Sequence, residues 1–301
     1  MSVLPTAELH LHIEGTLEPE LIFALAGRNG IELPYADVEE LRRQYQFADL
    51  QSFLNLYYDN MAVLQTEQDF ADMTRAYLAR AQAAGVRHAE IMMDPQAHLS
   101  RGISLATCVN GVASALAGSE EELGISTELI AAFLRDEPAE EALAVLEQLL
   151  AMEAPIIGIG LDSAEVGHPP RDFVALYERA HEAGLKCIAH AGEEGPPEYI
   201  REALDLLKVA RIDHGIRCME DEELVQRLAA EQTPLTVCPL SNVRLRAVDT
   251  LADHPLPRML ERGLNVSDPS SNFSSFTRAP KSALSKVARA MVGSAPPPRP
   301  S

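Results

Sequence analysis

The stretch AELHLHIEG, residues 7–15, is an apolar run broken by two histidines two positions apart and closed by an acid and a glycine. Read as a strand, it puts His10 and His12 on one face, because side chains i and i+2 of a strand point the same way. Short apolar or β-branched runs of this kind recur at 86–93, 124–134, 155–161, 186–191, 210–213, 234–238 and 264–267. Each is followed by helix or turn chemistry, and eight such units predict an α/β fold, a (β/α)8 TIM-type barrel more than an open sheet. The helical stretch between about 17 and 84, which includes TLEPELIFALAG and TEQDFADMTRAYLARAQAAG, is too long for one βα unit and predicts helices inserted over the barrel mouth.

Composition narrows the partners. The 301 residues hold 25 Lys and Arg against 45 Asp and Glu, a formal charge of −20. That charge repels phosphate backbones and anionic lipid heads, so neither nucleic acid nor membrane is expected as a partner. The N-terminus MSVLPTAELH lacks a basic region with an apolar core behind it, and no run approaches the ~20 apolar residues of a membrane span. Cys108, Cys187, Cys218 and Cys238 are far apart with no C-x-x-C pair, which suggests neither a zinc knuckle nor a disulfide framework. A soluble, cytoplasmic enzyme is expected.

Three strand ends carry chemistry. His10 and His12 converge on the barrel interior near the end of the first strand, where two imidazoles can share one metal ion, although a lone H-x-H pair also suits a hydrogen-bonded core histidine. The run KCIAHAGEEGPPEY ends a strand on His190 and follows it with Glu193 and Glu194: a ligand and a candidate proton carrier, or simply acids at a helix start. In RIDHGIRCMEDEEL, His214 closes another strand. Three such sites in one barrel point to a metal-assisted reaction at its mouth.

In order and spacing, ELHLHIEG, HAGEEGPPEYI, RIDHG and LTVCPLSN resemble the motifs of the adenosine/adenine deaminase family of the amidohydrolase superfamily, over roughly residues 4–266. Within it, GLDSAEVGHPP (160–170) is most similar to the bacterial and fungal adenine-acting branch, with Glu165 where adenosine-acting enzymes carry a glycine. The resemblance implies a zinc barrel of purine salvage that converts adenine to hypoxanthine and ammonia. It implies His10, His12 and His190 as zinc ligands, Glu193 as proton donor to N1, and His214 as the histidine beside the attacking hydroxide. Zinc brings the pKa of bound water to about 7, and burial raises the pKa of a carboxyl, so these roles are chemically coherent. Glu165 would crowd and repel a ribose while leaving room for the free base, which makes it a substrate-binding candidate. The first lysine of the chain is Lys186, so no lysine near the fourth strand is available for the carbamate bridge of binuclear relatives, and one Zn2+ per chain is expected.

The resemblance stops near residue 267. Residues 267–301 hold one acid, Asp268, and five basic residues, +4 against −24 for the remainder, with Ser and Pro in excess. Two segments are therefore expected, a deaminase barrel over 1–266 and a divergent, partly disordered tail over 267–301. The family closes its barrel with N-S/T-D-D-P, where this chain has LNVSDPSSNF. With Asp268-Pro269 aligned on the D-P, Ser267 replaces the zinc-binding Asp and Asp268 keeps the substrate-binding place; Asp268 is also a candidate fourth zinc ligand. Pro269 cannot donate to a sheet ladder, so incomplete barrel closure and a weakened enzyme are expected. Adenosine or N6-substituted adenine deamination, and a catalytically impaired zinc-binding protein, stand as alternatives.

Overall fold

A computed structural model describes residues 5–267; Asp268 and the rest of the expected tail lie outside the described residues. Eight strands follow one another as β1 (Thr6–His12), β2 (Val86–Met93), β3 (Ser126–Leu134), β4 (Ile156–Asp162), β5 (Lys186–Ala191), β6 (Arg211–His214), β7 (Leu235–Thr236) and β8 (Val266–Ser267). Their spatial order is their sequence order, and each adjoining pair is parallel. Helices separate every successive pair. Parallel neighbours joined by helical crossovers curl into a TIM-type (β/α)8 sheet.

The curl stops short of full closure. β8 is two residues long and pairs with β7, Val237 N donating to Ser267 O at 2.9 Å. Among the described residues no pairing joins β8 to β1. β7 is shorter than the expected 234–238 because Cys238 already leads into the helix Pro239–Arg244, whose first-turn proline needs no backbone partner.

The central strands bury both faces. Met92, Ile130, Ala132 and Ile188 form an inner cluster, while their alternating neighbours Ile91, Ala131, Phe133 and Ala189 belong to the main core, which also holds Leu146, Leu149 and Tyr177 of the surrounding helices. That alternation is what a filled barrel wrapped by helices requires. Gly158 lets β4 approach β5: a Cβ there would lie 2.5 Å from the Lys186 carbonyl oxygen.

The long connection from β1 to β2 contains the helices Pro19–Asn29, Val38–Gln44, Leu50–Asn60 and Glu67–Ala84. The third of these starts at Asp49, whose side chain accepts from Ser52 N at 2.7 Å, and it stands over the strand C-termini. Its Leu50, Phe53, Leu54, Tyr57 and Tyr58 line one cleft with His10 and His12, so the inserted helices do roof the mouth. Among the described residues, no helix is long and apolar enough to cross a membrane.

Candidate active site

Strand ends converge at this cleft: His10, His12, Asp94 and Asp162 line it, and His190 and His214 pack against His10. His10 and His12 come from β1, Asp94 follows β2, Asp162 ends β4, His190 comes from β5 and His214 ends β6. All lie on the C-terminal face, where parallel barrels assemble their chemistry. The cleft has an accessible volume of about 100 Å³.

Four imidazoles meet there. His190 Nε2 is 2.9 Å from His10 Nε2 and 3.3 Å from His12 Nε2. The ring centroid of His214 is 4.9 Å from those of both His10 and His190. One ring nitrogen each of His10, His190 and His214 falls within 4.8 Å of the others, close enough to hold one metal ion. Burial drives His10 down to about 4 and His190 and His214 well below the usual imidazole range, so all three rings are neutral at pH 7. Neutral rings whose nitrogens converge in this way present lone pairs to one another, an arrangement that suits a cation between them.

His12 is held differently. Its Nδ1 lies 3.2 Å from Asp162 and 3.6 Å from Asp94. Burial lowers its pKa, but the bonds to Asp162 and Asp94 outweigh that and raise it well above the usual value. His12, Asp94 and Asp162 thus form a second cluster of potential ligands. The geometry is also that of carboxylates orienting a metal-binding imidazole, Nδ1 toward the acids and Nε2 toward the other rings. Behind them, Tyr57 donates to Asp94 at 2.9 Å, and Glu14 accepts from Asp94 N at 3.1 Å and from His98 at 2.8 Å. His10 is backed by Thr236 Oγ1, 3.3 Å from its Nδ1, and Thr236 bonds in turn to Asp213.

Glu193 stands on the other side of the rings. It is 5% exposed, and burial, aided by the charges of Glu165 and Glu194, pushes its carboxyl up to about 8. Its Oε2 is 3.3 Å from His214 Nε2, and its Oε1 accepts from Asn242 at 3.1 Å. Asn242 Nδ2 also lies 3.1 Å from His214 Nδ1, and its Oδ1 is 3.2 Å from His254 Nε2. Leu256 N donates to His254 Nδ1 at 3.1 Å, so the His254 proton sits on Nε2 and points at the Asn242 carbonyl. That fixes the amide, whose NH2 group then faces both Glu193 and His214. His214 itself adopts φ +67°, a left-handed conformation costly for a side chain of its size.

The structure thus gathers His10, His12, His190, Glu193 and His214 at one place. Glu165 lies beside them with its carboxylate turned to the backbone of residues 192–195, and Asp268 is outside the described residues. Asp94, Asp162 and Asn242 were not among the expected site residues. Asp94 and Asp162 carry the same strand-end signal as the histidines, and Asn242 closes the LTVCPLSN motif.

Comparison with known proteins gives the family. The family model described as adenosine deaminase matches residues 5–288, and the chain belongs to that family. An adenine deaminase from Streptomyces coelicolor is 64% identical over 270 residues, 88% of this chain and 79% of the relative. The crystal structure of adenine deaminase from Arthrobacter aurescens is 71% identical, with a TM-score of 0.92 over 97% of this chain and 89% of that one. An amidohydrolase from Burkholderia ambifaria, solved with bound Zn, is 26% identical with a TM-score of 0.80, covering 97% and 90% of the two chains.

Proposed function

We propose that this chain hydrolyses adenine to hypoxanthine and ammonia, in the cytoplasm and in purine salvage. The observation that carries the reading is the buried Glu193 carboxyl, 3.3 Å from His214, beside a cluster of converging imidazoles. The adenine deaminases at 64% and 71% identity support the choice of substrate. The four cysteines are buried and not joined in disulfides, which suits a reducing compartment.

His10, His12 and His190 would hold one Zn2+, with Asp94 and Asp162 orienting His12. When bound, zinc supplies a hydroxide nucleophile at neutral pH. The chain's own residues perform the rest. Glu193 gives its proton to N1 of the purine as the C6–O bond forms, which relieves the negative charge that builds on the ring. His214, oriented by Asn242, aligns the attacking oxygen by a hydrogen bond. The proton of the new C6 hydroxyl then passes to the amino nitrogen, the C6–N6 bond breaks, ammonia departs, and the ring keeps the oxygen as a carbonyl.

Free adenine is expected to be the better substrate by at least about tenfold in kcat/KM over adenosine, within the range a shaped pocket achieves. Ammonia release and chromatography of hypoxanthine against inosine measure this. Equal or faster turnover of the nucleoside would refute the substrate assignment.

A further inference from the structure

Residues 190–195, which carry Glu193, are held from two sides. On the carbonyl side, Arg135 donates to His190 O at 2.7 Å, Gly215 N to Ala191 O at 3.1 Å and Arg217 N to Gly192 O at 2.9 Å. On the amide side, four consecutive N–H groups converge on one carboxylate. Gly192 donates to Glu165 at 2.6 Å, Glu193 at 3.0 Å, and Glu194 and Gly195 at 2.8 Å each.

Successive amides aimed at one point form a nest for an anion, and here the anion is the chain's own side chain. Glu165 is 2% exposed, and a Cβ on Gly195 would lie 2.5 Å from its Oε1, so the fit leaves no room for another occupant. With both oxygens engaged by amides, the residue acts on the loop and not by touching the purine.

We propose that Glu165 is a positioning residue, which by filling this nest fixes the place of the Glu193 carboxyl over the substrate ring. The inference rests on reading Glu193 as the proton donor. The negative charge of Glu165 also helps to keep the proton on Glu193. A glutamine at 165 offers one acceptor oxygen and turns an NH2 group against the remaining amides.

Hydrogen exchange of the peptide spanning residues 190–196, followed by mass spectrometry, tests the clamp without any substrate. In Glu165→Gln the amides of 192–195 should exchange at least about tenfold faster. The variant's kcat for adenine should fall about 10- to 100-fold, the scale of an ångström-sized misplacement, with KM within about threefold of wild type. The alkaline limb of its kcat/KM profile should move to lower pH. Unchanged exchange, or a raised KM with kcat intact, would overturn the proposal, the second outcome returning Glu165 to direct contact with the substrate.

Glu165→Gly empties the nest and provides an arm that survives if the glutamine variant fails to fold. Added formate should restore part of its kcat where chloride does not, and no recovery would count against the nest. If Glu193→Gln leaves turnover unchanged, the proton-donor reading fails; the exchange measurement still decides the clamp.

Discussion

Glu193→Gln is expected to lower kcat for adenine at least ~100-fold, the usual scale for a general acid, while adenine binding and bound metal stay near wild type. Glutamine is nearly isosteric, so the bond from Asn242 to Oε1 survives, and what disappears is the transferable proton. The same group sets the pH profile. Its carboxyl is pushed up to about 8, so the donor form dominates below that value and is lost as pH rises through it. Wild-type kcat/KM should therefore decline on the alkaline side of about 8, and in the glutamine variant that decline should vanish from whatever rate remains. Steady-state kinetics across pH, with equilibrium binding of adenine to the variant, check both parts. Unaltered turnover would remove Glu193 from the chemistry.

His190→Ala should have a comparable effect by another route, through loss of the metal. His190 is the hub of the cluster, its Nε2 within 3.3 Å of the Nε2 atoms of both His10 and His12, and its ring centroid 4.6 and 5.2 Å from theirs, which stand 5.5 Å apart. Removing the hub leaves two imidazoles of one strand without the third donor. Since structural zinc sites of four ligands are worth about 10–16 kcal/mol, one ligand accounts for roughly 3 kcal/mol, or about 100-fold in affinity. Metal content after dialysis against a weak chelator should drop with turnover, and excess zinc should restore little of either. Full retention of metal by His190→Ala would instead place the ion on His12, Asp94 and Asp162.

Much of this was legible in the residues, and the limits have physical causes. The strands over 86–93 and 186–191 coincide with β2 and β5, since apolar runs bounded by helix signals define buried parallel strands well. β7 came out shorter, because pairing and not hydrophobicity ends a strand, and Cys238 has already turned toward a helix. The histidines announced themselves as polar residues at the ends of apolar runs. Asp94 and Asp162 stand at equivalent places, but an acid after a strand also reads as a turn or a helix start, and only the curl of the sheet brings both onto His12. Arg135, in the polar turn FLRDEP, gives no hint of burial, yet it lies under the β5 end with its guanidinium on two carbonyls. Glu165 was visible as a carboxylate replacing glycine. Its partners were not, for they are peptide N–H groups that every residue except proline possesses.

The roof and the floor of the cleft differ in kind. Leu50, Phe53, Leu54 and Leu245 offer hydrocarbon, whereas His10, His12, Asp94 and Asp162 offer ionisable groups. A flat heterocycle that slides between them has one rim rich in nitrogen and two broad faces without strong hydrogen-bonding needs. Its rim must keep polar company once water is gone, and its faces need none. Solvation therefore turns the ring before any individual bond forms: the nitrogen-bearing rim goes down toward the imidazoles, and the encounter is half aligned by wetting alone.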